Sequence, residues 1–189
     1  MAEIHNPHDK LARQSLANID VAKDFLATHI PKHILAKFDL NNIELSNRTY
    51  IDPQLTEQSS DIVYKVKMLD GTSGYLYFLV EHQSGALPFM PLRILKYQIA
   101  IMEDHLLQNR HESKLPIVLP TIFYTGDKKP YPYSLNLFDL FYDYNFAEQT
   151  LMKPAHLVDI TQISDEEIKT HTIIGLLELA QKLEQQPRK

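Results

Sequence analysis

Hydrophobic and polar positions alternate most cleanly in the middle of the chain. From Asp61 to Leu69 the run DIVYKVKML places Ile62, Tyr64, Val66 and Met68 on one face of a strand, and Asp61, Val63, Lys65 and Lys67 on the other. The segment Asp70-Gly71-Thr72-Ser73-Gly74 has turn chemistry. The returning run YLYFLVEHQ puts Leu76, Phe78, Val80 and His82 on one side, and Tyr75, Tyr77, Leu79, Glu81 and Gln83 on the other. This predicts a β-hairpin with one almost wholly apolar face. Beyond a loop over 84–91 the period changes. Leu92, Leu95, Ile99, Met102 and Leu106 recur at helical spacing and predict a long helix ending near His111, with Arg93, Lys96 and Tyr97 off the apolar stripe on the exposed side.

Upstream, Asn6 before Pro7 and Asp9 reads as a helix start, with helix to about Ala17. Asp20 offers an N-cap to a second helix through Val21, Ala22, Phe25 and Leu26, stopped by Pro31. A short helix through Ile34, Leu35 and Phe38 and a strand over Ile43–Ile51 follow. Downstream, Ile117–Tyr124 reads as a strand in which Pro120 argues for an edge, a bulge or a break. After it come a loop over Gly126–Tyr133, a short helix at Leu137–Phe141, a short strand at His156–Ile160, and a last helix opened by the pair Ser164 and Glu167.

Composition narrows the chemistry. With 189 residues, 44% of them hydrophobic, the chain can bury one respectable core and reads as one domain. No apolar run is long enough to span a bilayer, and the N-terminus lacks the plan of a signal peptide, so a cytoplasmic protein is expected. With no cysteine, any metal must be held by oxygen or imidazole. His29 and His33 have zinc-like spacing, but Pro31 between them spoils a regular helix. The net charge of -5 argues against broad neutralisation of nucleic-acid phosphates and leaves room only for a local basic patch.

Residues opposite one another in an antiparallel hairpin share a face, so the register decides which polar groups meet. If Leu69 pairs with Ser73, Asp61 lies across from Glu81; if it pairs with Tyr75, Asp61 lies across from Gln83. Either register gathers all three at one end of the hairpin. Two carboxylates assembled there repel each other, and a divalent cation relieves that repulsion. Mg²⁺ suits one or two carboxylates completed by water and phosphate oxygens. Gln83 could then orient an attacking water or bind the scissile phosphate. His82, on the apolar side, could offer only its backbone carbonyl to the metal. Each residue also has an ordinary reading: Asp61 as a turn or capping residue, Glu81 and Gln83 as solvated strand positions, and Arg93, Lys96 and Tyr97 as a solvated helix face rather than a phosphate-binding group. The run Lys128-Lys129-Pro130-Tyr131-Pro132-Tyr133 interleaves basic and aromatic residues as single-strand binders do, and reads equally well as a proline-stiffened surface loop.

The segments PHDK at 7–10, SDIVYKVK at 60–67, YLYFLVEHQS at 75–84 and MPLRILKYQ at 90–98 resemble the Rpn family of recombination-promoting nucleases and transposase-like proteins. The order helix, strand, Asp-bearing strand, Glu-x-Gln strand, long helix, strand resembles the PD-(D/E)xK nuclease core. The resemblance implies an α/β fold with a mixed sheet, a central hairpin and flanking helices. It implies a single nuclease-like domain over 1–189, with a core at about 7–126 and a C-terminal extension at about 127–189 that is short for the family. Its implied activity is a Mg²⁺-dependent DNA endonuclease, with Mn²⁺ as an alternative ion, tied to recombination or mobile elements. Asp61 and Glu81 would be metal ligands, Gln83 would stand where the superfamily has lysine, and Arg93 would contact phosphate. DNA is the implied partner, with a second copy of the chain or a transposition or recombination partner as further candidates and no membrane. Two rival readings accompany it: a catalytically inactive nucleic-acid-binding or protein-interaction module on the same fold, and a fragment whose final helix, bearing Ile173, Leu176, Leu177, Leu179, Ala180 and Leu183, pairs with a partner.

Overall fold

A computed structural model of the chain describes residues 11, 14–46, 60–81, 87–126 and 128–184, without the side chains of 60, 61, 79–81 and 184. It divides into two compact units, residues 1–140 and 141–189. The proposed helix start at Asn6, Pro7, His8 and Asp9 lies outside the described residues.

In the first unit, helix α1 (Ile19–His29) is capped by Asn18, whose side-chain oxygen accepts from the backbone N–H groups of Asp20 at 2.9 Å and Val21 at 3.4 Å. Asp20 is therefore not the N-cap; it sits in the first turn, where its charge favours the helix dipole. The chain leaves the helix at Ile30 before Pro31, makes the single turn α2 (Lys32–Leu35), and enters strand β1 (Phe38–Leu45). This strand starts well before the expected Ile43. A register shift between Asp39 and Ile43 interrupts its pairing with the next strand, and that irregularity hides the two-residue period in the sequence.

The hairpin forms as strands β2 (Ser60–Met68) and β3 (Ser73–Glu81). Its turn falls one residue earlier than a Leu69–Ser73 pairing would place it. The Met68 N–H donates to the Thr72 carbonyl at 2.8 Å, and the Gly71 N–H to the Met68 carbonyl at 2.9 Å, leaving a three-residue loop with Gly71 at φ +86°. That left-handed residue following a tight turn is how three-residue hairpin loops close. Asp70 accepts from the Thr72 backbone at 2.9 Å and hydroxyl at 2.6 Å, and these bonds hold its carboxyl below the usual range. Helix α3 (Met90–Gln108) carries the chain over the sheet to strand β4 (Ile117–Tyr124), which pairs parallel to β3. The sheet order is β1-β2-β3-β4, so β4 is an edge, where Pro120 is tolerated.

Both faces of the sheet are covered. One carries Ile62, Tyr64, Val66, Leu76 and Phe78, packed with Ala22 and Leu26 of α1, as the alternation predicts. The other carries Val63, Tyr75 and Tyr77 under Met90, Tyr97 and Ile101 of α3. Helix α3 does not bury the predicted stripe: its buried side is Met90, Pro91, Arg93, Tyr97, Ile101 and His105, while Leu92 and Ile99 are exposed. The sheet surface explains the rotation. Tyr75 and Tyr77 present rings with polar tips, and α3 answers with amphipathic side chains. The Tyr75 hydroxyl lies 2.9 Å from His105 Nδ1, and the Tyr77 and Tyr97 rings stack with centroids 5.2 Å apart. Glu112 completes this corner, 2.6 Å from His105 Nε2.

On the opposite face, Tyr64 is fully buried, and among the described residues its hydroxyl has no hydrogen-bond partner. Burial pushes the phenol up to about 12. Tyr64→Phe removes a desolvated hydroxyl while keeping the ring, so urea unfolding at pH 7 should show an unchanged or raised stability, by up to about 1 kcal/mol. The unfolded phenol ionises near its ordinary value of 10, so the wild type should lose stability as pH rises from there towards 12, and Tyr64→Phe should lose less. A destabilised Tyr64→Phe at pH 7 would mean that the hydroxyl is satisfied.

A 3-10 turn at Leu137–Leu140 stands where a short helix is expected. The second unit holds α4 (Tyr144–Thr150), α5 (Asp165–Ile168) and α6 (Ile173–Glu184). Ser164 caps α5 through its bond from the Glu167 N–H at 3.1 Å, as its spacing predicts, but that helix is one turn long and α6 starts separately. The strand expected at His156–Ile160 does not form; those residues are irregular up to a 3-10 turn at Ile160–Gln162. Within this unit the Lys182 ammonium reaches the Ile163 carbonyl at 2.6 Å and Asp165 at 2.7 Å. Among the described residues no helix is long and apolar enough to cross a membrane.

Candidate functional site

The tight turn fixes the register of the acidic positions. Lys67 pairs with Ser73, so Asp61 lies across from Leu79, and not from Glu81 or Gln83 as turns placed later in the chain would have it. The shift is by two residues from the first expected register and four from the second, both even, which preserves the face. Positions 61, 79 and 81 thus belong to one row, that of Val63, Tyr75 and Tyr77, on the side covered by α3. Asp61 and Glu81 are diagonal neighbours on adjoining strands, a relation that sets such residues roughly 7–8 Å apart. One cation can take carboxylate oxygens from both at that spacing, directly or through water. Glu81 closes β3 and pairs on its other side with Tyr124, the last residue of β4. His82 and Gln83 lie outside the described residues.

The start of β2 and the ends of β3 and β4 therefore meet at one edge of the sheet. Helix α3 runs back over the sheet from this end: Tyr97 stacks on Tyr77, and His105, two turns further on, meets Tyr75. The same progression in reverse carries Arg93, one turn before Tyr97, towards positions 79 and 81. Arg93 is only 6% exposed, and its guanidinium carbon sits 5.7 Å from the centre of the Tyr97 ring. The expected placement of Arg93 and Tyr97 on an exposed face is thus corrected: both are buried against the sheet, and Lys96 alone of the three is exposed. The stripe Leu92-Leu95-Ile99 pulled the sequence reading to the wrong side. A usable signal was the spacing of Arg93, Tyr97, Ile101 and His105, a continuous row of large amphipathic side chains.

Among the described residues no group of three or more His, Cys, Asp or Glu side chains is placed to hold a metal, which includes the region of His29 and His33. The donor set at 61 and 81, two carboxylates without sulfur, suits a hard divalent ion. Beyond Tyr124 the chain turns through Gly126, Lys128 and Lys129 to Tyr131. The Tyr124 hydroxyl donates to the Lys128 carbonyl at 3.1 Å, and the Tyr131 hydroxyl to the Leu87 carbonyl at 3.5 Å, tying this loop to the approach to α3. The loop lines an open cavity of about 360 Å³.

The fold defines a mixed α/β protein with two acidic positions on neighbouring strands at the end of the sheet where α3 begins. The chain matches the family described as "Putative transposase, YhgA-like" over residues 6–187. It is similar to Recombination-promoting nuclease RpnC of Escherichia coli (strain K12), 41% identical over 176 residues that cover 93% of this chain and 58% of the relative. Recombination-promoting nuclease RpnA of the same organism is 41% identical over 176 residues, 93% of this chain and 59% of the relative. A third relative from that strain, Inactive recombination-promoting nuclease-like protein RpnE, is 38% identical over 177 residues, 94% of this chain and 58% of its own length. The chain belongs to the Rpn family of recombination-promoting nucleases and YhgA-like transposase-related proteins. It spans a little under three-fifths of the length of these relatives. No solved structure matches it.

Proposed function

We propose that this chain is a metal-dependent DNA endonuclease of the PD-(D/E)xK type, acting on phosphodiester bonds in recombination or mobile-element movement. The observation that carries the reading is the register: Asp61 and Glu81 stand in one row, on adjoining strands, at the edge of the sheet where α3 begins. The names of the relatives support a nuclease role. Asp61 and Glu81 would hold Mg²⁺ or Mn²⁺, with the His82 carbonyl as a further oxygen donor. The bound ion would supply Lewis acidity to a phosphoryl oxygen and acidify a water. The chain's own residues do the rest. Arg93 offers a fixed fork of donors to a phosphate oxygen or to the carboxylates, and Tyr97 buttresses it. Gln83 orients water through its amide, and Lys96 faces the backbone of a longer DNA.

A second reading has an observation of its own. One relative of 38% identity is named inactive, and glutamine at 83 stabilises developing charge less than lysine would. On that reading the chain binds nucleic acid or protein without cutting. Titration with Mn²⁺, followed by electron paramagnetic resonance of the free ion, tests the site. The wild type should remove free Mn²⁺ from solution, and Glu81→Ala should bind it at least about tenfold more weakly. Equal binding by both proteins would remove Glu81 from the metal site and the endonuclease reading with it.

A further inference from the structure

The cavity beyond β4 has the chemistry of a nucleotide site, and the endonuclease reading leaves it unused. Tyr124 and Tyr131 form part of its wall, with ring centroids 4.9 Å apart at 87°, and Lys128 and Lys129 line it from the exposed side. A volume of about 360 Å³ lies within the range of small-ligand pockets. Tyr124 is paired in register with Glu81, one strand spacing from the proposed cutting site. A substrate strand engaged at Glu81 therefore has its neighbouring nucleotide within reach of this loop.

We infer that the Tyr124–Tyr131 loop holds one unpaired nucleotide of the DNA strand being cut, its base against the tyrosine rings and its phosphate against Lys128 and Lys129. The strand assignment rests on the endonuclease reading; the chemistry of the pocket does not. Bases in a duplex spend their faces on one another, so an aromatic wall gains contact only with a base outside the stack. The charge of the chain points the same way. At a net charge of -5 it lacks the broad basic surface that duplex binding uses, whereas the loop sequence, two lysines against one aspartate at 127, carries a local positive charge matched to a single phosphate. Preferred substrates would then be frayed, nicked or branched DNA.

The test is fluorescence anisotropy of a labelled 12-nucleotide oligothymidylate and of a duplex of the same length, in EDTA so that nothing is cut. The single strand should bind more tightly than the duplex. Its affinity should fall between about fivefold and 150-fold in Tyr131→Ala, the range one stacked base supplies, and survive in Tyr131→Phe, with duplex binding unmoved. The slope of log affinity against log salt should be about -1.4 for two lysine contacts and shrink in Lys128→Gln. Unchanged single-strand affinity in Tyr131→Ala, or an equal loss on duplex, would overturn the inference. So would displacement of the oligonucleotide by an equal concentration of AMP, which marks a mononucleotide pocket. Failure of the two readings is separable. If Glu81→Ala cuts like wild type but Tyr131→Ala selectively loses the single strand, the pocket stands without the nuclease; if cutting needs Glu81 and Tyr131→Ala binds normally, the pocket alone falls.

Discussion

Nicking of supercoiled plasmid in Mg²⁺ should fall at least about 100-fold in Asp61→Asn and in Glu81→Gln, and should vanish for the wild type in EDTA. Both substitutions keep the size of the side chain and remove its charge, so neither should empty a packed space. A metal held by both carboxylates loses its charge balance when either is neutralised, which is why the two variants should fail alike. The double variant should then be no worse than either single one, the non-additivity of groups that act as one unit. Cutting that persists in both variants at the wild-type rate removes the metal site at the strand edge, whatever its true source.

How much of this was legible in the sequence depends on how far each feature is local. The hairpin was legible because its alternation runs unbroken on both strands, and the face shared by Asp61 and Glu81 followed from parity alone. The register was not, because it hinges on whether the chain turns at Gly71 or at Gly74. Both are glycine in a polar run, and only Gly71 adopts the left-handed conformation that closes a three-residue loop. Strand β1 was half missed because the register shift after Asp39 breaks its period. The split between α5 and α6 was missed because Ser164 announces a helix start without announcing its length. The orientation of α3 failed for a more instructive reason. Hydropathy ranks Leu92 and Ile99 above Arg93 and His105, yet on this sheet face the Tyr75 hydroxyl meets His105 and the Tyr77 ring stacks on Tyr97, so the helix turns these side chains inward. Long side chains with polar tips count as apolar bodies in such a layer. The cavity beyond β4 was visible only as a mixed basic and aromatic run. Its neighbourhood with Glu81 depends on the parallel pairing of β3 and β4, a contact between residues more than forty positions apart.

Arg93 carries the second large expectation. A guanidinium keeps its charge in proteins, and burying one without an anion close by is costly. At 6% exposure in the first turns of α3, Arg93 is buried against Tyr97, the residue that stacks on Tyr77 of the row to which positions 61 and 81 belong. If those carboxylates are what balances it in the absence of metal, Arg93→Met should destabilise the protein by about 3–5 kcal/mol in EDTA, because it leaves their negative charge without its partner. Methionine preserves most of the packing volume, so a loss of that size would not come from a cavity. Combining it with Glu81→Gln should return much of the loss, and the shortfall from additivity in this double-mutant cycle measures the pairing. Mg²⁺ should also rescue the single variant, since a cation replaces the missing charge, but it should not rescue its nicking, for which the fork of donors on phosphate is needed. Additive losses in the cycle would show that Arg93 is balanced elsewhere. In that case the buried face of α3 would owe its arginine to packing on Tyr97, and the carboxylates at 61 and 81 would have no part in its burial.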